Sequence, residues 1–270
     1  MVHTYKLLFT DIDGTLVKSG TPLTPLTIAA IQKIKHQIPV VLVSARMPSA
    51  ITYLQEELKI TDQPIICYNG ALVIVNQKTI QSTEIDNNTI NALVEYGNST
   101  KDVLTGLYYN DDWYVDTMTE RVHKEIRNTN VEPTLANIDE IASNWQSKKH
   151  GAHKIMFMGT KESMDLAQEF LENEFNGILN SYRSNNTLIE ISSKKVSKLS
   201  GINALLEQHF KAGINDIIAF GDNYNDIEML EAVGHGVAVA NGRPEAMKAA
   251  DEVAPANIDD GVAKTILKYF

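Results

Sequence analysis

Residues 39–43 read Pro-Val-Val-Leu-Val, with no polar position among them. A strand wetted on one face alternates in polarity, whereas an unbroken β-branched run like this one suits a parallel sheet covered on both faces. Segments of helical character flank it. Upstream, Thr24 can cap a helix that has Pro25 at its first position and runs to about residue 36. Downstream, a helix from about Pro48 places Ile51, Leu54 and Leu58 on one face. Similar short apolar runs at 5–10, 65–67, 217–220 and 237–239 alternate with helical segments at 197–210, 226–232 and from Pro244. This rhythm predicts an α/β chain built on a parallel sheet with helices on its faces.

The rhythm breaks between about residues 84 and 188. A polar helix at 87–96 precedes a hairpin, 104–109 with 113–115, turning at Asp111 and Asp112. A strand at 154–158 leads to a helix at 161–175, with Met164, Ala167, Leu171 and Phe175 inward, and strands at 179–182 and 187–191 follow. The expected organisation is therefore one α/β domain from residues 1–83 and 189–270, interrupted by an α+β insert at 84–188. No internal repeat or low-complexity tract appears.

Chemistry concentrates where predicted strands end. The first strand runs into Asp11-Ile12-Asp13-Gly14-Thr15, and the strand at 217–220 runs into Gly221-Asp222-Asn223-Tyr224-Asn225-Asp226. Side chains two apart on a strand share a face, so Asp11 and Asp13 tend to the same side, where like charges need a cation or a shared proton. Asp-Gly after an apolar run is also an ordinary hairpin signal. The second acidic cluster, at another strand-to-helix junction, favours a site at the carboxyl edge of the sheet, where ligands of open α/β folds bind. Ser44, at the end of the second strand, can donate to a phosphoryl oxygen or be a plain turn serine. Lys198 stands near a helix start beside Lys194 and Lys195, against the helix dipole; it either meets an anion there or extends into solvent.

With 24 basic and 34 acidic residues in 270, the net charge of −10 disfavours a nucleic-acid or anionic-membrane partner. Lys148, Lys149, His150, His153 and Lys154 read as a solvated basic loop. One cysteine, Cys67, excludes an intramolecular disulfide and reads as a small buried hydrophobe. The amino terminus enters the first strand without a signal-like leader, and no apolar run is long enough to span a bilayer, so a cytoplasmic location is expected. No heptad or exposed apolar stripe indicates an oligomeric state.

In the order Asp-x-Asp-Gly-Thr, Ser, Lys, Gly-Asp-x-x-Asn-Asp, these motifs resemble those of the haloacid dehalogenase (HAD) superfamily of phosphohydrolases, and in particular its Cof-type members with a type-IIB cap. Asn69-Gly70-Ala71 and Val196-Ser197-Lys198 match that subgroup's local patterns. Leu199, where the subgroup often has glycine, and Ala240-Asn241-Gly242, where it often has Gly-Asn-Ala, depart from it.

The resemblance implies a Rossmann-like parallel-sheet core with an inserted cap and a magnesium-dependent phosphomonoesterase acting on small phosphorylated metabolites, sugar phosphates first. It makes Asp11 the nucleophile that forms an aspartyl-phosphate, and Asp13 the acid and base, which must carry a proton in the first step, as neighbouring carboxylates would favour. Magnesium would be held by Asp11, the Asp13 backbone carbonyl and Asp222, with Asp226 holding a metal-bound water. Ser44, Lys198 and Asn225 would bind phosphate, and Arg46, Asn69, Gly70 and Arg183 would contact substrate. Tyr108, Tyr109 and Trp113 are further recognition candidates that can equally be core aromatics. A phosphomutase shares the first step, and a non-catalytic phosphometabolite sensor is the alternative from another class.

Overall fold

All four residues of Leu7–Thr10 are buried, and the strand they form lies inside an eight-stranded sheet. The computed structural model describes residues 5–18 and 21–270; residues 1–4, expected to lead directly into this strand, lie outside the described residues. Two compact units emerge, Met1–Gln81 with Ser197–Phe270, and Ser82–Val196.

The chain runs through β1 (Leu7–Thr10), α1 (Pro25–Ile34), β2 (Val40–Val43), α2 (Ser49–Leu58), β3 (Ile65–Cys67), β4 (Leu72–Val75) and β5 (Lys78–Ser82). It continues with α3 (Asn87–Ser99), β6 (Val103–Tyr109), β7 (Asp112–Val115), α4 (Glu120–Thr129), β8 (Thr134–Leu135), α5 (Ile138–Lys148), β9 (Lys154–Gly159), α6 (Lys161–Glu174), β10 (Leu179–Asn185) and β11 (Leu188–Ser193). It then adds α7 (Lys198–Gln208), β12 (Ile217–Gly221), α8 (Ile227–Ala232), β13 (His235–Val239), α9 (Pro244–Ala249), β14 (Glu252–Ala254) and α10 (Gly261–Tyr269). The expected insert boundary at 188–189 cuts β11 at its first residue, whereas the compact unit holds that strand whole.

In the first unit the order is β14-β13-β12-β1-β2-β3-β4-β5. Pairing is parallel from β14 to β3, and β3–β4 is antiparallel. Leu7, Phe9, Val41, Val43, Ile217 and Ala219 pack one face against Ile202, Leu205 and Met229 of α7 and α8. On the alternate positions Leu8, Val40, Leu42 and Ile218 are also fully buried, which is why these strands carry no polar alternation. Thr24 caps α1 through its hydroxyl and Pro25 opens the helix, as its sequence predicts. β1 lies between β12 and β2, so the chain order reverses there and the ends of three parallel strands meet at one edge.

The second unit is a six-stranded sheet, β10-β11-β9-β6-β7-β8, antiparallel except for β7–β8. Leu107, Ile155, Phe157, Ile189 and Ile191 form its core with Leu93, Trp145, Met164 and Leu171 from three helices. The basic stretch expected to be solvated is only partly so. Lys148 and Lys149 are exposed, but Lys154, which opens β9, and His153 just before it are buried. The Lys154 ammonium lies 4.5 Å from the centre of the Tyr108 ring, a cation–π contact. Counting charge along the chain misses this because period two turns each residue to a face whose cover lies elsewhere in sequence.

His153 Nδ1 accepts the Asn110 N–H at 3.0 Å, so Nε2 carries the proton and points to Ser82 Oγ at 2.9 Å. Ser82 donates onward to Glu84 Oε1 at 2.8 Å. Burial pulls the imidazole pKa down to about 4 from 6.5, against an opposing pull from Glu84. The folded state therefore binds a proton later than the unfolded chain as pH falls. Stability of about 3 kcal/mol, present above pH 6.5, should be lost as the solution is taken down through about pH 4. Urea midpoints near pH 7.5 and near pH 4.5 should fall further apart in the parent than in His153→Gln; parallel shifts in the two proteins would count against this account.

Candidate active site

The site grows from the three strand ends. The Asp11 N–H donates to the Phe220 carbonyl at 3.0 Å, which continues the β1–β12 ladder into the turn and brings Asp11 beside Asp222. Gly14 has φ +92°, and a Cβ there would collide with the Asp222 carboxylate; only glycine lets the two acidic loops close on each other. Thr15 Oγ1 donates to Asp222 Oδ1 at 2.9 Å and orients that carboxylate. Asn241 ties the same turn down from a third loop: its amide donates to the Gly14 carbonyl at 2.8 Å and accepts the Asn257 N–H at 2.7 Å.

Lys198 is the first residue of α7, capped by Ser197. It does not extend into solvent. Its side chain is fully buried, with Nζ 2.5 Å from Asp11 Oδ1 and 2.6 Å from Asp226 Oδ1. Burial works against the charged amine, but the two carboxylates outweigh it and raise its pKa. The other Asp226 oxygen accepts the backbone N–H groups of Asp222 and Asn223, both at 3.0 Å. Asp226 is thus fully engaged and acts as the rigid post between the lysine and the acidic loop.

Ligand oxygens of Asp11, Asp222 and Asp226 lie within 4.8 Å of one another. Burial pushes the Asp11 carboxyl well above its usual range, Lys198 opposes, and Asp226 and Asp222 add to the rise. Burial and then Asp226 lift Asp222 to about 6. Hard oxygen donors that resist ionisation until a positive charge arrives fit a divalent metal. Asp11 and Asp222 suit the ligand role; Asp226 already satisfies both its oxygens within the protein.

Asp13 meets a different environment from the one expected. Its partner is a guanidinium rather than another carboxylate: Arg46 Nε donates to Asp13 Oδ2 at 2.6 Å and Nη2 to Oδ1 at 2.8 Å. Arg46 Nη1 donates to the Ala50 carbonyl and the Tyr53 hydroxyl, both at 3.0 Å. Expected as a substrate contact, Arg46 is instead 5% exposed and committed to orienting Asp13. Ser44 stands at the end of β2, buried, with Oγ accepting the Arg46 N–H at 3.2 Å.

Asn69 and Gly70 belong to a strained turn. Tyr68, Asn69 and Gly70 have φ of 52°, 55° and 100° in succession, and each non-glycine residue in that region costs about 1–2 kcal/mol. The turn packs tightly enough that a Cβ on Gly70 would strike the Ser197 carbonyl. It places Asn69 Oδ1 to accept from Asn225 Nδ2 at 2.9 Å. Asn69, 5% exposed, fixes Asn225, while Gly70 packs against the start of α7. Arg183 is not among these residues. It lies on β10 in the second unit, where its guanidinium donates to Asp165 Oδ1 at 2.6 Å and to the carbonyls of Lys161 and Asn186. Tyr108 and Trp113 stack on each other in the same unit, rings 5.3 Å apart, and Tyr109 packs on its core.

Asp11, Asp13, Ser44, Arg46, Asn69, Gly70, Lys198, Asp222, Asn225 and Asp226 thus all come from the first unit. Sequence alone missed the Arg46–Asp13 pair, Thr15 as the holder of Asp222 and the Asn69–Asn225 bond. Only Thr15 left a signal, as the hydroxyl closing the Asp-x-Asp-Gly-Thr turn.

A family model described as haloacid dehalogenase-like hydrolase matches residues 8–266. A Haemophilus influenzae protein with a provisional phosphatase name is 32% identical, over 98% of each chain. The Bacillus subtilis 5-amino-6-(5-phospho-D-ribitylamino)uracil phosphatase YitU is 26% identical, over 98% of this chain and 97% of its own. Among solved structures, a haloacid dehalogenase-like hydrolase from Bacteroides thetaiotaomicron superposes with a TM-score of 0.88 at 25% identity, covering 99% of this chain and 100% of that one. A HAD subclass IIB sugar phosphatase superposes at 0.83 and 25% identity, covering 98% of both chains. No helix among the described residues is long and apolar enough to cross a membrane.

Proposed function

Because the chain belongs to the haloacid dehalogenase-like hydrolase family, we propose that it is a magnesium-dependent phosphomonoesterase that cleaves small phosphorylated metabolites, sugar phosphates foremost, through an aspartyl-phosphate on Asp11. The observation that carries this reading is the buried lysine shared by Asp11 and Asp226, with Asp222 alongside. Such a group leaves one nucleophilic carboxylate facing a fixed positive charge, with Asp222 beside it to share a cation. The similarity to a IIB sugar phosphatase and to a phosphatase named for a ribityl phosphate favours a polyol or sugar leaving group.

In the proposed reaction an Asp11 oxygen attacks phosphorus. The bond from phosphorus to the leaving oxygen breaks as the Asp11 bond forms, and Asp13 passes its proton to the departing alkoxide. Asp13, now a carboxylate, takes a proton from water, which attacks the acyl phosphate, restores Asp11 and releases inorganic phosphate. Arg46 serves the two halves unequally. Both of its bonds are satisfied when Asp13 is a carboxylate, whereas a proton on Asp13 displaces one of them. Lys198 holds Asp11 in place and offsets charge as it shifts, while Ser44 and Asn225 donate to phosphoryl oxygens. Magnesium would be held by Asp11, Asp222 and the Asp13 carbonyl, and when bound it supplies the charge that lets a carboxylate approach a dianionic ester. The single free thiol, buried Cys67, suits a cytoplasmic setting.

The test is phosphate release from hexose and pentose phosphates, a ribityl phosphate, nucleotides and an aryl phosphate. Release should depend on magnesium and fall by about 100-fold or more with chelator. An isomerised sugar phosphate in place of free phosphate would instead identify a mutase. No turnover of any compound by folded, magnesium-loaded protein would leave a sensor.

A further inference from the structure

The acidic centre has no cation to spare. Asp11, Asp13, Asp222 and Asp226 face Lys198 and Arg46, four carboxylates to two cations, and both cations are buried and fully paired. The charge that a divalent metal would bring is taken up by these carboxylates and by the phosphate being transferred. A substrate with a second anionic group would need positive charge from elsewhere.

Such charge stands on the loop that follows β13. The Arg243 N–H donates to the Asp222 carbonyl at 2.7 Å, and Gly242 lies close against the Asp222 backbone. Asn241 of the same loop is bonded to the Gly14 carbonyl, so residues 241–243 are stitched to both acidic turns. Arg243 itself is exposed, and among the described residues no carboxylate pairs with its guanidinium. Its guanidinium lies over the Tyr224 ring, with Cζ 5.6 Å from the centroid. Tyr224 lies within the acidic loop, two residues from both Asp222 and Asp226, and is itself 51% exposed. An arginine resting on an aromatic face keeps all its N–H donors while losing side-chain freedom in advance, so less entropy is left to lose when an anion binds.

We propose that Arg243, held by Tyr224, is a specificity-determining anion subsite beside the phosphate centre, selecting esters whose leaving group carries a second phosphate or carboxylate. This rests on the phosphatase reading and narrows its substrate class. A surface cation–π pair of no consequence for binding is the competing account.

The experiment compares a sugar bisphosphate with its monophosphate. Binding of each to the Asp11→Asn protein with magnesium is measured by calorimetry, and kcat/KM for each is measured in the Asp11 protein. The bisphosphate should bind at least tenfold tighter, and Arg243→Ala should cut that preference to about twofold or less in both measurements. Arg243→Lys should keep part of it, because charge survives without the planar donors. Tyr224→Phe should keep it, and Tyr224→Ala should lose several-fold. An unchanged preference in folded Arg243→Ala overturns the subsite while leaving the phosphatase intact. Turnover of neither compound, with the bisphosphate preference and its loss in Arg243→Ala still seen by calorimetry, would remove the phosphatase reading and retain the anion site. Binding of neither, with turnover of neither, would remove both.

Discussion

Asp11→Ala should lower kcat for phosphate release by about 10⁴-fold or more, while the variant melts no lower than the parent. Activity and stability are expected to move apart because the Asp11 carboxylate is an electrostatic liability to the folded chain. It is buried, its ionised form is disfavoured, and Asp226 and Asp222 crowd it. Removing it takes one carboxylate from the cluster and leaves Lys198 still paired with Asp226 at 2.6 Å. The sheet beneath is untouched, since the Asp11 backbone N–H that continues the β1–β12 ladder remains. Phosphate assays and thermal melts on one preparation check both halves. Ordinary turnover by a sequence-verified Asp11→Ala sample would end the covalent mechanism.

Lys198→Met should produce the opposite pattern, losing activity and stability together. The side chain is fully buried and its charge is shared by two carboxylates. Methionine fills the volume but leaves Asp11 and Asp226 without their counter-ion, and breaking a buried pair from one side costs about 3–5 kcal/mol. The sign with pH follows from which form suffers. Near neutrality the orphaned Asp11, whose ionised form burial already disfavours, must either stay charged in a dry site or take up a proton that the unfolded chain would not bind. The gap to the parent should therefore be widest at neutral pH and shrink as acid protonates it. Magnesium should also narrow it by binding the folded form. Denaturant midpoints at several pH values, with and without magnesium, give the measurement. A gap independent of both would mean that Lys198 contributes through packing alone.

Much of this is legible in the sequence. Asp11, Asp13 and Asp222 could be found because strand, turn and helix each carry a local signature: a β-branched run, an Asp-Gly turn, a Thr-Pro cap. The same signatures located Ser44 and Lys198 at element boundaries. The second unit was read less completely. α4 and β8 left no clear period, because α4 is a largely polar helix with Val122 as its one fully buried apolar residue, and β8 has two exposed residues. β14 escaped for a related reason: a three-residue edge strand is too short to show alternation.

Partner choice is where sequence stopped. Local periodicity says which residues stand at a strand end and which way they turn, since that depends on neighbours two to four positions away. It does not say which cation meets which carboxylate. Lys198 and Asp11 are 187 residues apart, Thr15 and Asp222 are 207 apart, and Asn69 and Asn225 are 156 apart. Even Arg46 and Asp13, only 33 apart, could not be paired from the chain alone. The strand order β12-β1-β2 made those choices by setting three parallel ends side by side, and desolvation at that edge then left each buried charge with the counter-ion the sheet had brought within reach. Sequence determined the chemistry available to this protein; the sheet determined that Lys198 would neutralise Asp11 and that Arg46 would be spent on Asp13.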